Sequence, residues 1–330
     1  MSNALFQPNP IIQNIINKSS PIIKACEKKY NLPPRYLAFD LSLHLFRFSK
    51  VELYPEQNVL NLDLIESECD RCAKSLYQRI NNIPKKFKKM LTYNEKKSKI
   101  FISNLDPFEK FNNHKLKPII FKEVDPNIGS LIQKQIHYLG CQRYDTLIHL
   151  GLFWVKQIIP FAYASFSRLD RKYHLNSLPF KDNMDHVLFL SRIFSINSAP
   201  KNSISYLLSE CCKYIQNYPL TQNISTIITS LNPNVLFNGA AFKSSNFIPY
   251  ATFPFEPLYY KNRYTTRKKY IELFGKKYSN KKSDLSNVTT KKFPSKPVVL
   301  MGYGLNKTTS KALKTNFKIK RVSLQEYRKG

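Results

Sequence analysis

Small polar residues crowd one stretch of this chain. "SRIFSINSAPKNSISYLL", residues 191–208, places Ser198, Asn202, Ser203 and Ser205 just ahead of a helical apolar pattern. The first N–H groups of a helix have no intrahelical partner, and the macrodipole favours negative charge there. Small side chains let an anion reach those amides, so the segment suits a pyrophosphate. Ser and Asn are equally the ordinary capping residues of a helix. Arg192, at the end of the preceding strand pattern, faces a phosphate or pairs with an acid. Downstream, "NPNVLFNGAAFKSSNFIPY" (232–250) holds Asn232, Pro233 and Gly239, then turns helical around Phe242 and Lys243 and closes at Asn246. A plain connection seldom needs so much special backbone chemistry. "FPFEPLYYKNRYTTRKKY" (253–270) interleaves Tyr259 and Tyr260 with Arg263, Arg267 and Lys268. Ring faces and cations in that order suit an unstacked base; a packed strand followed by a solvated basic helix has the same pattern.

Other reactive residues carry less. Of six cysteines only Cys69 and Cys72, in "CDRC", have metal-like spacing. A structural zinc needs a second pair, so these read as reduced helix cysteines, and whether any metal is used stays open. His137 sits beside Tyr138 in "IHYLG", on an aromatic-rich helix pattern, where a satisfied half-buried histidine and a cleft histidine are both consistent. His149, His174 and His186 lie in strand or loop contexts and receive no role.

The charge is uneven. The chain has 330 residues, with 52 Lys and Arg against 22 Asp and Glu, a net charge of +30. From Lys261 to Gly330 there are 20 basic and 3 acidic residues. Such a field attracts polyanions, above all nucleic acid, with an affinity that falls as salt rises; a lysine-rich surface of biased composition gives the same count. No run approaches the roughly 18 apolar residues of a membrane span, and the first residues lack the pattern of a secretion signal. The expectation is a cytoplasmic, DNA-associated protein with no membrane partner; the oligomeric state is not legible.

Three regions must position these residues. Residues 1–113 read as a mostly helical extension of unknown role, with "DLIESECDRCAKSLYQRINNI" a good amphipathic helix. Residues 114–276 run β-α-β-β-β-α-β-α: a strand at "KPIIFKEV", a helix "NIGSLIQKQIHYLG" ending at Gly140, a hairpin over "DTLIHLGLFWV" and "QIIPFAYASFS", a strand "DHVLFLSRIFSI", a helix after Pro200 and a buried strand "ISTIITSL". Residues 277–330 are a basic segment with one strand candidate, "PVVLMGYGL". The fold class is α/β (α+β), a central mixed sheet flanked by helices, in the layout of GNAT-type acyltransferases.

"LSRIFSINSAPKNSISYLL" followed by a strand and "NPNVLFNGAAFKSSNF" resembles the Mom family, phage-type DNA-modification proteins of GNAT-like fold that act on the exocyclic amino group of adenine. The matching positions are Ser191, Arg192, Ala199, Pro200, Lys201, Asn202 and Ser205, then Asn232, Pro233, Gly239, Phe242, Asn246 and Phe247. His137 and Tyr138 match a His-Tyr pair, and "YYKNRYTTRKKYIELFG" matches an aromatic, basic segment. The resemblance covers about Pro118 to Lys276. It implies a transferase that adds an acyl or carbamoylmethyl-type group to adenine in double-stranded DNA, from acetyl-CoA or a related acyl donor. His137, Tyr138 and Asn232 would be catalytic; Ser198, Lys201, Asn202, Ser203 and Ser205 would hold the donor. Arg192, Lys243, Asn246, Tyr259, Tyr260, Arg263, Arg267 and Lys268 would contact substrate or DNA. The chain departs from ordinary GNAT enzymes in having Ser203 and Ser205 where glycines line the pyrophosphate loop. It departs from many Mom relatives in having Asn232 where they have aspartate. An inactive nucleic-acid-binding protein on the same fold, and an N-acetyltransferase acting on another amine, are the alternatives.

Overall fold

The structure is a computed structural model that describes residues 3–33, 36–56, 59–89, 96, 119–196, 198–260, 263–265, 294–316 and 318–329. The expected boundary near Asn113 falls outside these residues.

The N-terminal region is helical. Pro10–Lys18 (α1) starts where the Asn9 side chain accepts from the Ile11 and Ile12 amides, and Ser20–Lys29 (α2) follows at once. Tyr36–His44 (α3), the short Lys50–Leu53 (α4) and Leu62–Asn81 (α5) complete it. Ile12, Ile15 and Ile16 on α1, and Ile65, Cys69, Cys72, Ala73 and Leu76 on α5, are spaced to share one face, and they are buried. They form a helical core with Leu37, Leu41 and Leu45. Each large side chain removed from water there contributes roughly 1.5–3 kcal/mol.

The remainder is built on one mixed sheet of eight strands. Ile119–Glu123 (β1), Thr146–Trp154 (β2), Ala162–Arg168 (β3) and Val187–Ser195 (β4) are antiparallel neighbours in order. Between β1 and β2 lies Pro126–Leu131 (α6), continued by a π-helical turn, Ile132–Ile136. That helix ends four residues before Gly140, because the His137 amide bonds back to the Ile132 carbonyl at 2.8 Å and His137 itself turns extended. Lys172–Asn176 (α7) precedes β4, and Ser203–Asn217 (α8) crosses from β4 to Thr226–Leu231 (β5), which runs parallel to β4. Leu207, Leu208, Cys211, Cys212 and Ile215 of α8 are buried in the main core with the β2 and β3 aromatics.

After β5 come Ala240–Ser244 (α9) and Ile248–Phe253 (β6). Leu258–Tyr260 (β7) and Arg263–Thr265 (β8) form a separate two-stranded ribbon. Val298–Gly304 (β9), from the basic segment, inserts antiparallel between β5 and β6. Lys307–Thr315 (α10), Lys320–Arg321 (β10, parallel to β6) and Leu324–Lys329 (α11) follow. The expected element order through residue 231 is present, and the architecture is α/β with a mixed sheet flanked by helices.

The ribbon joins the N-terminal helices to the rest. Tyr259 is buried in the helical core and donates its hydroxyl to the Leu43 carbonyl, while the Tyr264 amide donates to His44 Nε2 at 2.9 Å. Among the described residues no helix is long and apolar enough to cross a membrane.

Candidate active-site cleft

Parallel strands β4 and β5 are paired over only three positions, Val187 with Thr226 through Phe189 with Ile228. β4 continues to Ser195 and β5 to Leu231, so beyond that point the strands separate. One side-chain bridge follows, from Thr229 Oγ1 to the Leu190 carbonyl at 3.0 Å. The gap opens at the carboxyl ends of the strands, where open α/β sheets place ligands. It forms a cleft of about 770 Å³ lined from β4 by Leu190–Ile196, from β5 by Thr229–Leu231 and from the following turns by Asn232 and Leu236–Phe242.

The N-terminus of α8 faces this cleft. Asn202 has φ 68°, a left-handed conformation, and no side chain caps the helix. Ser203 Oγ turns back to the Pro200 carbonyl, and Ser205 Oγ pairs with Ser244 Oγ at 2.8 Å. The polar residues at this end are therefore not used as caps. The Ser203 amide bonds to the Pro200 carbonyl and that of Tyr206 to Asn202; among the described residues no partner meets the Ile204 and Ser205 amides. Both residues line the cleft with Ala199 and Asn202. Unpaired amides between small side chains fit an anionic phosphate group.

At the other wall the π-turn delivers His137 and Tyr138. Their rings lie 4.5 Å apart, and Tyr138 meets Phe237 edge-on at 5.5 Å. His137 is buried, and its Nδ1 accepts from the Leu139 amide at 3.2 Å. Burial, then the charges of Arg192 and Arg79, hold its pKa well below the usual imidazole range; a backbone hydrogen bond at Ile193 acts in the opposite sense. Burial pushes the Tyr138 phenol up to about 12. Arg192 is only 8% exposed. It donates to the Ser191 and Cys141 carbonyls and touches Cys141 Sγ at 3.2 Å, and its Nε has no partner among the described residues. No Asp, Glu or Cys stands among the described residues lining the cleft, and its one histidine is His137.

The cleft thus gathers His137, Tyr138, Arg192, Asn202, Ser203, Ser205 and Asn232. Asn232 is engaged as well: its Oδ1 accepts from the backbone and side-chain amides of Asn234, both at 3.0 Å. Other expected site residues lie elsewhere. Ser198 Oγ is buried with no partner among the described residues, and Lys201 is exposed outside the cleft lining. Lys243 sits 3.7 Å from the centre of the Phe6 ring, and Asn246 is an exposed left-handed residue after α9. Tyr259 is buried against the N-terminal helices, and no base can stack on it there. Arg263 lines a second pocket of about 830 Å³ with Arg79, Lys134 and Tyr144; Tyr138 and Leu139 belong to both pockets. Tyr260 is placed on β7 by its backbone alone, and Arg267 and Lys268 lie outside the described residues.

Two contributions were not visible beforehand. Tyr36 and Phe39 of α3 form a wall of the cleft, Phe39 lying 5.1 Å from the Phe237 ring. Nothing in the sequence of the helical region points toward a site two hundred residues away. Asp40, His44 and Cys72 also come together, with ligand-type atoms within 4.8 Å. Both His44 ring nitrogens are engaged, Nδ1 with the Asp40 carbonyl and Nε2 with the Tyr264 amide. Burial raises the Cys72 thiol. The set fits a structural clip and does not fit a metal. All six cysteines are buried and unbridged.

No protein-family model and no curated protein sequence matches the chain. Among solved structures it is similar to yncA of Salmonella typhimurium, described as an acetyltransferase with its cofactor acetyl-CoA (10% identity, TM-score 0.32, 58% of this chain and 95% of that one). It is similar to AAC(6')-Ib in complex with paromomycin and acetyl-CoA (10%, 0.34, 61% and 98%). A third is an N-acetyltransferase from Staphylococcus aureus Mu50 (12%, 0.29, 57% and 97%).

Proposed function

We propose that this protein transfers an acyl group from a thioester donor of the acetyl-CoA type to an amine. The observation that carries this reading is the separation of β4 from β5 with the uncapped end of α8 opening into the gap. The Ile204 and Ser205 amides would hold a pyrophosphate, and the donor would supply an activated carbonyl. Arg192, buried without a carboxylate among the described residues, would meet negative charge developing in the cleft.

The finer reading is that the amine is the exocyclic nitrogen of adenine in double-stranded DNA. It is supported by the order and spacing of the Mom-like residues and by the net charge of +30. The second pocket adds Arg79, Lys134 and Arg263 on the far side of Tyr138, where a DNA backbone would lie. The competing reading, a basic nucleic-acid-binding protein without chemistry, draws support from the low basicity of His137 and from the engagement of Asn232 in its own turn.

One experiment separates them. The purified protein is incubated with duplex DNA and acetyl-CoA, the DNA is digested to nucleosides, and these are read by mass spectrometry. A new adenine species is expected. Modification of an added polyamine or peptide amine with unchanged DNA would keep the transferase and move the acceptor. Retained DNA binding with no product on any amine would leave the binding protein.

A further inference from the structure

A charge inside a folded chain costs free energy unless an opposite charge or good hydrogen bonds meet it. Two guanidinium groups at the cleft wall are short of both. The turn that carries His137 and Tyr138 lies between them. From β4, Arg192 donates to the Cys141 carbonyl at 3.4 Å. From α5, in the N-terminal helical region, Arg79 donates to the Tyr138 carbonyl at a long 3.5 Å. Both charges act on His137. Neither arginine forms an ion pair among the described residues, and each has a buried Nε without a partner there.

Arg79 is the more telling of the two. A guanidinium has five N–H donors, and the bond to Tyr138 uses one of them. Its place is closely set. Gly140 has φ 55°, and a Cβ there would stand 2.3 Å from Arg79 Nη1. Only glycine combines that conformation with room for the guanidinium. Burial holds the Arg79 pKa below the usual guanidinium range, and the charge of Asp40 acts in the opposite sense.

Arg79 lines the second pocket, of about 830 Å³. Arg71, Lys134 and Arg263 are the other cations of its wall, and Asp40 is its one carboxylate among the described residues. Arg71 is already paired with Glu68, its Nη2 and Nε lying 2.5 and 2.8 Å from the carboxylate oxygens. No ion pair joins Asp40 to Arg79, Lys134 or Arg263 among the described residues. Lys134 lies 6.0 Å from the centre of the Tyr144 ring, and Arg263 is exposed. Three positive charges therefore face one carboxylate. Tyr138 and Leu139 line this pocket and the cleft alike, so a nucleotide with its base in the cleft reaches the second pocket across Tyr138. Arginine grips a phosphate with two parallel N–H groups, and Nε is an atom that Arg79 has left without a partner.

We infer that the second pocket is a phosphate seat, with Arg79 its enclosed contact and Lys134 and Arg263 its rim, and that its ligand is a phosphodiester flanking the base held in the cleft. The N-terminal helices thereby supply part of the acceptor site. The inference rests on nucleic acid as the ligand of the cleft, which the DNA-modifying and the binding-protein readings share.

The test uses the full chain and the single-stranded deoxytrinucleotide thymidine–adenosine–thymidine, which removes the cost of unstacking a duplex. A second probe carries neutral methylphosphonate linkages on both sides of the adenosine. The wild type should bind the charged probe about 10-fold more tightly than the neutral one, the range of a charge-assisted hydrogen bond. Arg79→Ala should bind the two alike, and Arg79→Lys should recover part of the preference. Nitrogen-15 NMR of arginine-labelled protein gives a local readout. The Arg79 Nε–H signal, assigned by its loss in Arg79→Lys, should shift with the charged probe and not with the neutral one. Lys134→Ala and Arg263→Ala, at exposed positions, should each narrow the preference by about 3-fold, which keeps the test alive where Arg79→Ala does not fold. A wild type that binds both probes equally, or neither, overturns the seat. An Arg79 signal that moves with inorganic phosphate or coenzyme A and stays still with the trinucleotide also overturns it, since the phosphate is then free or the donor's. A charge preference that depends on Arg79, with no product on any amine, keeps the seat and overturns the transferase reading. A modified adenine with no charge preference overturns the seat alone.

Discussion

His174 shows how far a residue's neighbours decide its chemistry. It lies on α7, fully enclosed, stacked on Phe189 at 5.2 Å and set edge-on to Tyr173 at 4.4 Å, with neither ring nitrogen hydrogen-bonded among the described residues. Burial, then the charges of Arg171 and Arg143, push its pKa down to about 3. In the unfolded chain the same ring takes a proton near pH 6.5. Between these values the unfolded state binds one proton more than the folded state, so stability is fully present above about pH 6.5 and is lost as pH falls toward 3. The slope from this one residue is about 1.4 kcal/mol per pH unit. Urea unfolding at pH 7 and pH 5 should show His174→Phe losing less stability between the two than the wild type. An equal loss in both would mean that His174 protonates within the folded protein. In the sequence only His137 stands apart, through Tyr138 beside it and the motif it matches, and nothing separates His149 from His174. His137, His149 and His174 all sit among apolar residues, yet one lines the cleft, one bonds a buried phenol and one fills a core. His137, Tyr138 and Arg192 were legible because a short motif fixes each next to a strand or helix end. Tyr259 was not, because the helices that bury it lie more than two hundred residues upstream.

At the scale of elements, the turn after β5 is held by amides. Asn232 Oδ1 accepts both amide groups of Asn234. Asn234, fully buried, exchanges hydrogen bonds with the Lys296 backbone in both directions, at 2.7 and 2.8 Å, and accepts from Asn9 at 3.1 Å. One turn thereby joins β5, the strand approach to β9 and the start of α1. Since Asn232 only accepts in these bonds, a carboxylate serves the turn equally. Asn232→Asp should keep stability within about 0.5 kcal/mol, whereas Asn232→Ala should cost about 1–2 kcal/mol through the lost cap and the stranded Asn234 amide. Chemical denaturation checks both, and an alanine variant as stable as the wild type would remove the turn from this role. The element order through β5 was legible because its apolar periods change cleanly from two to nearly four. The π-turn was not: a helix pattern runs unbroken through "IGSLIQKQIHYLG", and one widened turn leaves no mark on it. β6 was hidden for another reason. It contains Pro249, which denies a strand one ladder donor and is tolerated where the pairing with β9 shifts register.

The whole molecule closes around a strand from its most basic region. Residues 277–330 read as a basic segment with one strand candidate, "PVVLMGYGL", and with no sign of where that strand would pair. Yet "VVLMGYG" supplies β9, between β5 and β6, with Val299, Leu300 and Met301 fully buried. Local sequence could mark the strand but not its neighbours, because its partners are set by pairing across most of a hundred residues. The core of the sheet therefore forms only after nearly the entire chain is present. A chain ending at Lys292 would lose β9 along with α10, β10 and α11. The edges of β5 and β6 would be left as unpaired backbone in the middle of the sheet. Four buried aliphatic side chains, Val298 to Met301, would be lost, each contributing roughly 1.5–3 kcal/mol. Against the 5–15 kcal/mol that separates an ordinary native state from its unfolded chain, that loss is decisive. The truncated chain should show no cooperative thermal transition by circular dichroism and should collect in the insoluble fraction. A chain ending at Ser323, which removes only α11, should still melt cooperatively at a lower temperature, because Tyr327 packs against Phe253 and Tyr173 at the sheet's margin. A soluble, cooperatively melting chain ending at Lys292 would show that β5 and β6 can close without β9, and that the sheet is not assembled around its most basic segment.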